Sequence, residues 1–139
     1  MYKRLTHIGI AVKNLEASAA TFSRLFGIAR GHVEVVPEQR VKVTFFSIGD
    51  GGIELLEATS PDSPIAKFLE KRGEGIHHLS FEVDDIEAEL QRLKQEGFQL
   101  IDEQPRAGAD GYRVAFLHPK STNGVLIEIS EKIRPARPA

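Results

Sequence analysis

Apolar and polar residues alternate along residues 5–12, and this alternation predicts the first β-strand of the chain. Ile8, Ile10 and Val12 fall on one face of that strand. His7 and Gly9 fall on the other face. A histidine opposite an aliphatic row is the first polar position that the pattern singles out.

The next segment predicts an amphipathic helix, because apolar residues recur from 15 to 26 at intervals of three or four. Asn14 precedes it as a capping residue, and Gly27 follows it as the residue that ends a helix in the left-handed conformation. Strands are then predicted at 33–36, 41–48 and 53–57, the last two joined by a glycine-rich turn at 49–52. The element order of this half is βαβββ.

The second half repeats this order after a short linker helix over 63–73, for which Ser63 is the predicted cap. Residues 78–83 alternate as residues 7–12 do, so His78 is equivalent to His7. Asp85 then corresponds to Asn14 as the cap of a helix that stops at Gly97. Strands are predicted at 98–102, 113–118 and 124–129.

The repeat predicts an α+β fold of two tandem βαβββ modules whose curled mixed sheet surrounds an internal site. Module one covers about 5–58, the linker helix 63–73 and module two 76–131, with a tail at 132–139. A unit of about 60 residues is small for independent stability, so we expect both modules to share one domain over 1–139. The interface between them is the expected place for a pocket.

Composition narrows the classes of function. Hydrophobic residues at 41% and charged residues at 27% are typical of a globular protein and exclude disorder. A net charge of −2 gives no electrostatic surface for nucleic acid. The sequence has no apolar run long enough for a membrane span and no apolar targeting segment, so we expect a cytoplasmic protein.

Two acids interrupt aliphatic runs at equivalent places in the last strand of each module, Glu54 and Glu128. If the sheet curls around a cavity, both would converge there with His7 and His78. The chain has no cysteine, so any metal must be held by imidazole and carboxylate groups. Two of each suit a divalent transition ion with positions left for water or substrate.

Three segments carry a resemblance to a known family: residues 6–12, residues 62–69 leading to the His77-His78 pair, and residues 118–121 followed by 124–128. Over about residues 5–130 the sequence resembles the vicinal oxygen chelate superfamily, the glyoxalase and bleomycin-resistance fold. Within it, the sequence is most similar to the methylmalonyl-CoA epimerases.

The resemblance implies that His7, His78 and Glu128 bind the metal and that Glu54 takes the fourth position, which is Gln in some epimerases. It implies one divalent ion per chain, with Co²⁺ favoured over Zn²⁺, Mn²⁺ or Ni²⁺. It also implies a CoA thioester as substrate and a homodimer. The reaction would interconvert (R)- and (S)-methylmalonyl-CoA by removal and return of the C2 proton through a metal-stabilised enolate.

The same resemblance makes Glu128 both a ligand and a catalytic base. Some members carry a second glutamate base in the third strand of module one, where this sequence has Val43. Because valine cannot move a proton, we expect Glu54 to take that role from the other side of the metal. His77 is expected to point to the opposite face of its strand from His78 and to be structural.

Two alternatives stay open. A glyoxalase I-type lyase acting on a thiol hemithioacetal would use a similar His-Glu-His-Glu ligand set, although residues 118–124 lack the turn usual in those enzymes. A non-catalytic binding protein of the same fold would need neither the metal nor the four polar residues. Such binders stack ligands on aromatic rings, and this chain has no Trp and two Tyr.

Overall fold

The computed structural model describes residues 1–133 and contains eight strands and three α-helices in these residues. Their order is that of the predicted repeat. The elements are β1 (Tyr2–Ala11), α1 (Leu15–Phe26), β2 (Glu34–Val36), β3 (Val41–Ile48), β4 (Gly51–Ala58), α2 (Pro64–Arg72), β5 (Gly75–Val83), α3 (Ile86–Gln95), β6 (Arg106–Ala107), β7 (Tyr112–Leu117) and β8 (Ile127–Lys132).

All eight strands form one mixed sheet in the order β2-β3-β4-β1-β5-β8-β7-β6. The two modules meet where β1 pairs antiparallel with β5. On the outer sides of this pair, β4 runs parallel to β1 and β8 runs parallel to β5. The modules are therefore related by an approximate two-fold axis between β1 and β5, and the prediction of a curled mixed α+β sheet is confirmed.

The predicted caps begin the helices. The side chain of Asn14 accepts a 3.0 Å hydrogen bond from the Ala17 N–H, and the Asp85 carboxylate accepts one of the same length from the Ala88 N–H. Gly27 ends α1 at a φ of 67°, where a side chain would be strained. The caps satisfy N–H groups that have no partner inside the helix.

The helices α1 and α3 cover the outer face of the sheet. Leu15 and Ala19 of α1 pack with Phe46 and Leu55, and α3 forms an equivalent cluster in module two. Because side chains alternate along a strand, the packing of Leu55 outward directs its neighbour Glu54 to the inner face. The hydrophobic pattern thus determines which face is left for the site.

The two main differences from the predicted strands lie in module two. Residues 98–102 do not form a strand, because the Asp102 carboxylate accepts the Phe116 N–H at 2.9 Å and only Leu100 makes a β-bridge, to Leu117. The short β6 lies further along the chain instead. The last strand begins at Ile127 rather than 124, because Asn123 and Gly124 have positive φ values of 56° and 84° and form a turn.

The two ends of the sheet approach each other. Glu34 of β2 accepts hydrogen bonds from the Asp110 N–H at 2.9 and 3.2 Å, and Glu38 accepts one from the Ala107 N–H at 3.2 Å. Carboxylates of module one thus hold the segment around β6 of module two. This contact curls the sheet into a nearly closed barrel around its inner face.

Of the predicted tail, Lys132 is the last residue of β8, and residues 134–139 lie outside the described residues. None of the helices within residues 1–133 combines the length and the apolar composition that a bilayer crossing requires.

Replacement of Asp85 by Ala is expected to lower the free energy of unfolding by about 1 kcal/mol, because the cap of α3 is lost. Urea denaturation followed by circular dichroism would measure it. Asp85→Asn keeps an acceptor at the same position and is the matched control. Equal losses in both variants would show that the cap is not the source of the effect.

Candidate metal centre

The four residues singled out in the sequence lie on four adjacent strands. Glu54 of β4 is in register with Gly9 of β1, which is in turn opposite His78 of β5. The two-fold related row contains His7 of β1, then Ser80 of β5, then Glu128 of β8. Each row thus carries one histidine and one glutamate, drawn from different modules.

The side chains of the two rows converge. The Nε2 atoms of His7 and His78 are 3.0 Å apart. The Oε1 atom of Glu54 lies 3.4 Å from the Nε2 of His7 and 3.7 Å from that of His78. The Oε1 atom of Glu128 lies 3.5 and 3.9 Å from the same nitrogens. Both carboxylates therefore lie close to both imidazoles.

Burial strongly affects the protonation of these groups. It raises the pKa of Glu128 to about 7, an effect that the charge of His7 opposes and the charge of Glu54 reinforces. Burial also holds the pKa of His78 well below its usual value. Burial would lower the pKa of His7 too, but hydrogen bonding and the charges of Glu54 and Glu128 raise it.

The donor set fits a divalent transition ion. His7, Glu54 and His78 offer ligand atoms that all lie within 4.8 Å of one another, and Glu128 adds a second carboxylate beside them. If two nitrogens each lie about 2.1 Å from one ion and the angle between the two bonds is about 90°, the nitrogens are about 3.0 Å apart. The separation of the two Nε2 atoms, 3.0 Å, matches this arrangement.

Two aromatic rings hold the imidazoles in place. Phe45 lies edge-to-face with His7, with ring centroids 5.8 Å apart, and Phe116 does the same with His78 at 5.7 Å. Phe45 is in register with Glu54, and Phe116 with Glu128, so the rings also obey the two-fold relation. Each phenylalanine extends one polar row by an apolar residue, and its contact restricts rotation of an imidazole ring.

The antiparallel pairing of β1 and β5 is interrupted by two β-bulges next to the histidines. Thr6 is the extra residue between Leu5 and His7 on β1. His77 is the extra residue between Ile76 and His78 on β5. A bulge redirects the side chain of the extra residue. A prediction from the alternation of side chains along a regular strand therefore fails at that residue.

The prediction that His77 points away from His78 is therefore wrong. The Nδ1 atoms of the two rings are 3.0 Å apart. The ring of His77 also packs edge-to-face on Phe68 of α2, at 4.9 Å between centroids, and burial lowers the pKa of His77 to about 4. His77 lies beside the cluster and contacts a candidate ligand on the side away from the other three.

Gly9 provides the space for the His78 ring. A Cβ atom added at Gly9 would lie less than 3.0 Å from three atoms of that ring. The sequence pattern predicts no role in the site for Gly9, nor for Phe45, Phe116 and Thr6. The repeat contained one signal for Gly9, because its equivalent in module two, Ser80, is also small.

A cavity of about 300 Å³ opens beside the cluster, a volume at the lower end of small-molecule sites. His7, Glu54 and Glu128 line it together with Val43 and Phe45. Val43 is buried and presents no group that can transfer a proton. A second cavity, of about 120 Å³, lies on the side of His77 and His78.

Comparison with known proteins agrees with the fold. The family model of the Glyoxalase/Bleomycin resistance protein/Dioxygenase superfamily matches residues 6–116. The chain is 43% identical over 133 residues to the ethylmalonyl-CoA/methylmalonyl-CoA epimerase of Cereibacter sphaeroides, with 94% of this chain and 99% of the relative covered. It is 40% identical to the mitochondrial methylmalonyl-CoA epimerase of Homo sapiens over 92% of this chain and 73% of the relative.

A solved structure shows the same similarity to the epimerases. The chain superimposes with a TM-score of 0.93 on a variant of Streptomyces coelicolor methylmalonyl-CoA epimerase in complex with 2-nitronate-propionyl-CoA. The identity is 35%, and the match covers 99% of this chain and 100% of the other.

Replacement of Gly9 by Ala is expected to destabilise the fold by about 1–3 kcal/mol, because the added methyl group overlaps the His78 ring. Urea denaturation of Gly9→Ala, His78→Ala and the double variant would measure the coupling. The cost of Gly9→Ala should fall by at least about 0.5 kcal/mol once the ring is absent. Additive effects would contradict the assignment of the overlap to His78.

Proposed function

The chain belongs to the Glyoxalase/Bleomycin resistance protein/Dioxygenase superfamily, and we propose that it is a metal-dependent epimerase that interconverts (R)- and (S)-methylmalonyl-CoA. The observation that carries the proposal is the convergence of two imidazoles and two carboxylates beside a cavity, in a chain about 40% identical to epimerases over most of its length. The similarity to these epimerases favours this reaction over a glyoxalase I-type lyase or a binding protein.

We propose that His7, Glu54, His78 and Glu128 hold the metal ion. The mixed nitrogen and oxygen donor set supports this assignment. A bound divalent ion would neutralise the negative charge that develops on substrate oxygens when the C2 proton is removed. Co²⁺ is the ion we propose to test first.

The two carboxylates are the proposed acid and base. Glu54 is on β4 and Glu128 is on β8, and these strands lie on opposite sides of the β1–β5 pair. Two groups on opposite sides of C2 suit an inversion, because one removes a proton from one face while the other returns a proton to the opposite face. In the reverse direction the two groups exchange roles.

The substrate has the acidity that this mechanism needs. The C2 proton lies between a thioester and a carboxylate, so the electron pair left behind is delocalised onto their oxygens. Phe45 and Val43 contribute an apolar wall to the adjoining cavity, which limits the access of water. The apolar wall also suits the methyl substituent at C2.

Two finer expectations accompany the proposal. The family resemblance predicts a homodimer, which light scattering during size-exclusion chromatography would test. A cytoplasmic location stays a prediction from the sequence. Neither changes the reaction proposed for the site.

The chain, after removal of metal by a chelator, is expected to bind one Co²⁺ ion per chain in isothermal titration calorimetry. His78→Ala should weaken binding by more than the roughly 10–100-fold that is typical when an outer-shell partner is removed. His118→Ala is the control, because His118 lies at the turn after β7, where its Nδ1 accepts a hydrogen bond from the Lys120 N–H. Equal affinities in both variants would exclude His78 as a ligand.

The cobalt-loaded protein is expected to incorporate deuterium from D₂O into C2 of a single epimer of methylmalonyl-CoA and to convert that epimer into a mixture of both. Mass spectrometry and chiral analysis would follow the two events. Glu128→Gln and Glu54→Gln should each slow epimerisation by about 10²–10⁴-fold. Each should retain deuterium exchange into the one epimer whose C2 proton faces the remaining carboxylate.

The exposed Glu103 provides the control variant Glu103→Gln, and the metal content of every variant is measured alongside the rate. Near-normal epimerisation by metal-loaded Glu54→Gln would contradict the role of two carboxylates. A metal-loaded wild-type protein without exchange at C2 would contradict the epimerase proposal. A thiol hemithioacetal would then be the next substrate to test.

A further inference from the structure

Each of the two site histidines directs its two ring nitrogens to different partners. The Nε2 atoms of His7 and His78 face each other and the carboxylates of the cluster. The Nδ1 atoms face the preceding residue in the chain: Thr6 Oγ1 lies 3.3 Å from the Nδ1 of His7, and His77 Nδ1 lies 3.0 Å from the Nδ1 of His78. Both contacts are local, and they are equivalent in the two modules.

A neutral imidazole that binds a cation through Nε2 must carry its proton on Nδ1. That proton needs an acceptor in a buried site. Thr6 can serve, because its hydroxyl donates to the Ser80 carbonyl oxygen at 3.0 Å and its lone pairs are left for the Nδ1–H of His7. His77 can serve for His78 through the lone pair on its Nδ1, with its own proton on Nε2.

The bulges are what bring these acceptors to the histidines. In a regular strand, residues 6 and 77 would project away from their successors. Because each is the extra residue of a bulge between β1 and β5, its side chain turns toward the Nδ1 of the next residue. Two different residue types, a threonine and a histidine, fill the same position relative to a site imidazole.

We propose that Thr6 and His77 are positioning residues that keep the proton of His7 and His78 on Nδ1 and so hold both Nε2 atoms available for a divalent cation. The inference rests on the proposed function in one respect, that His7 and His78 bind the ion. It adds the residues that set the tautomer and the orientation of the two rings. Neither Thr6 nor His77 contacts the ion or the reacting atoms.

Paired variants separate hydrogen bonding from packing. Thr6→Val and His77→Leu remove the acceptor, whereas Thr6→Ser and His77→Asn keep a side-chain oxygen that can accept the Nδ1–H. Zinc affinity, measured by competition with a chromophoric chelator, should fall by about 10–100-fold in the Thr6→Val and His77→Leu variants. The Ser and Asn replacements should restore most of the affinity.

Nuclear magnetic resonance of zinc-loaded protein with ¹⁵N-labelled histidine gives a readout that a purely structural role would not change. Slowly exchanging Nδ1–H signals are expected for His7 and His78 in the wild-type protein. The signal of His7 should be lost in Thr6→Val and kept in Thr6→Ser. The signal of His78 should be lost in His77→Leu and kept in His77→Asn. Thermal unfolding of each variant establishes that it is folded.

The outcomes distinguish this inference from the proposed function. A wild-type protein that binds neither Co²⁺ nor zinc would overturn both. A wild-type protein that binds zinc, together with unchanged affinity and Nδ1–H signals in Thr6→Val and His77→Leu, would overturn only the role of Thr6 and His77. Equal losses in the two variants at residue 6, or in the two variants at residue 77, would also overturn it, because packing would then be the cause.

Discussion

The antiparallel pairing of β1 with β5 is the interaction on which the rest of the structure depends. It joins two modules that are each small for an independent core, and it sets Gly9 opposite His78 and His7 opposite Ser80. Each polar row crosses from one module to the other, so neither module alone holds a complete set of donors. Formation of the shared sheet and formation of the site are therefore one event.

Collecting four ionisable side chains on a buried face has an energetic cost. Buried charges without compensation are strongly unfavourable, and the raised pKa of Glu128 and the lowered pKa of His78 both result from burial. A cation would compensate the carboxylates and use the imidazole lone pairs. Phe45 and Phe116 restrict the rings from the outside, so the donors keep their arrangement through packing as well as through charge.

The architecture was predictable because the helix caps Asn14 and Asp85 and the alternation around His7 and His78 are local signals that recur in both halves. The candidate ligands followed from the same repeat. The bulges at Thr6 and His77 were not predictable, because alternation assumes one residue opposite one residue across β1 and β5. A strand was wrongly predicted at 98–102, because the pattern does not show that the side chain of Asp102 replaces a backbone acceptor for the Phe116 N–H.

The short strands at the two ends of the sheet affect how the protein behaves when it is concentrated. The strands β2 and β6 contain three and two residues, so they offer few free backbone groups on which a strand of another molecule could grow. The carboxylate of Glu38 accepts the N–H of Ala107 in β6, and that of Glu34 accepts the N–H of Asp110 just after it. The curling that encloses the site thus also protects the sheet against aggregation through its edges.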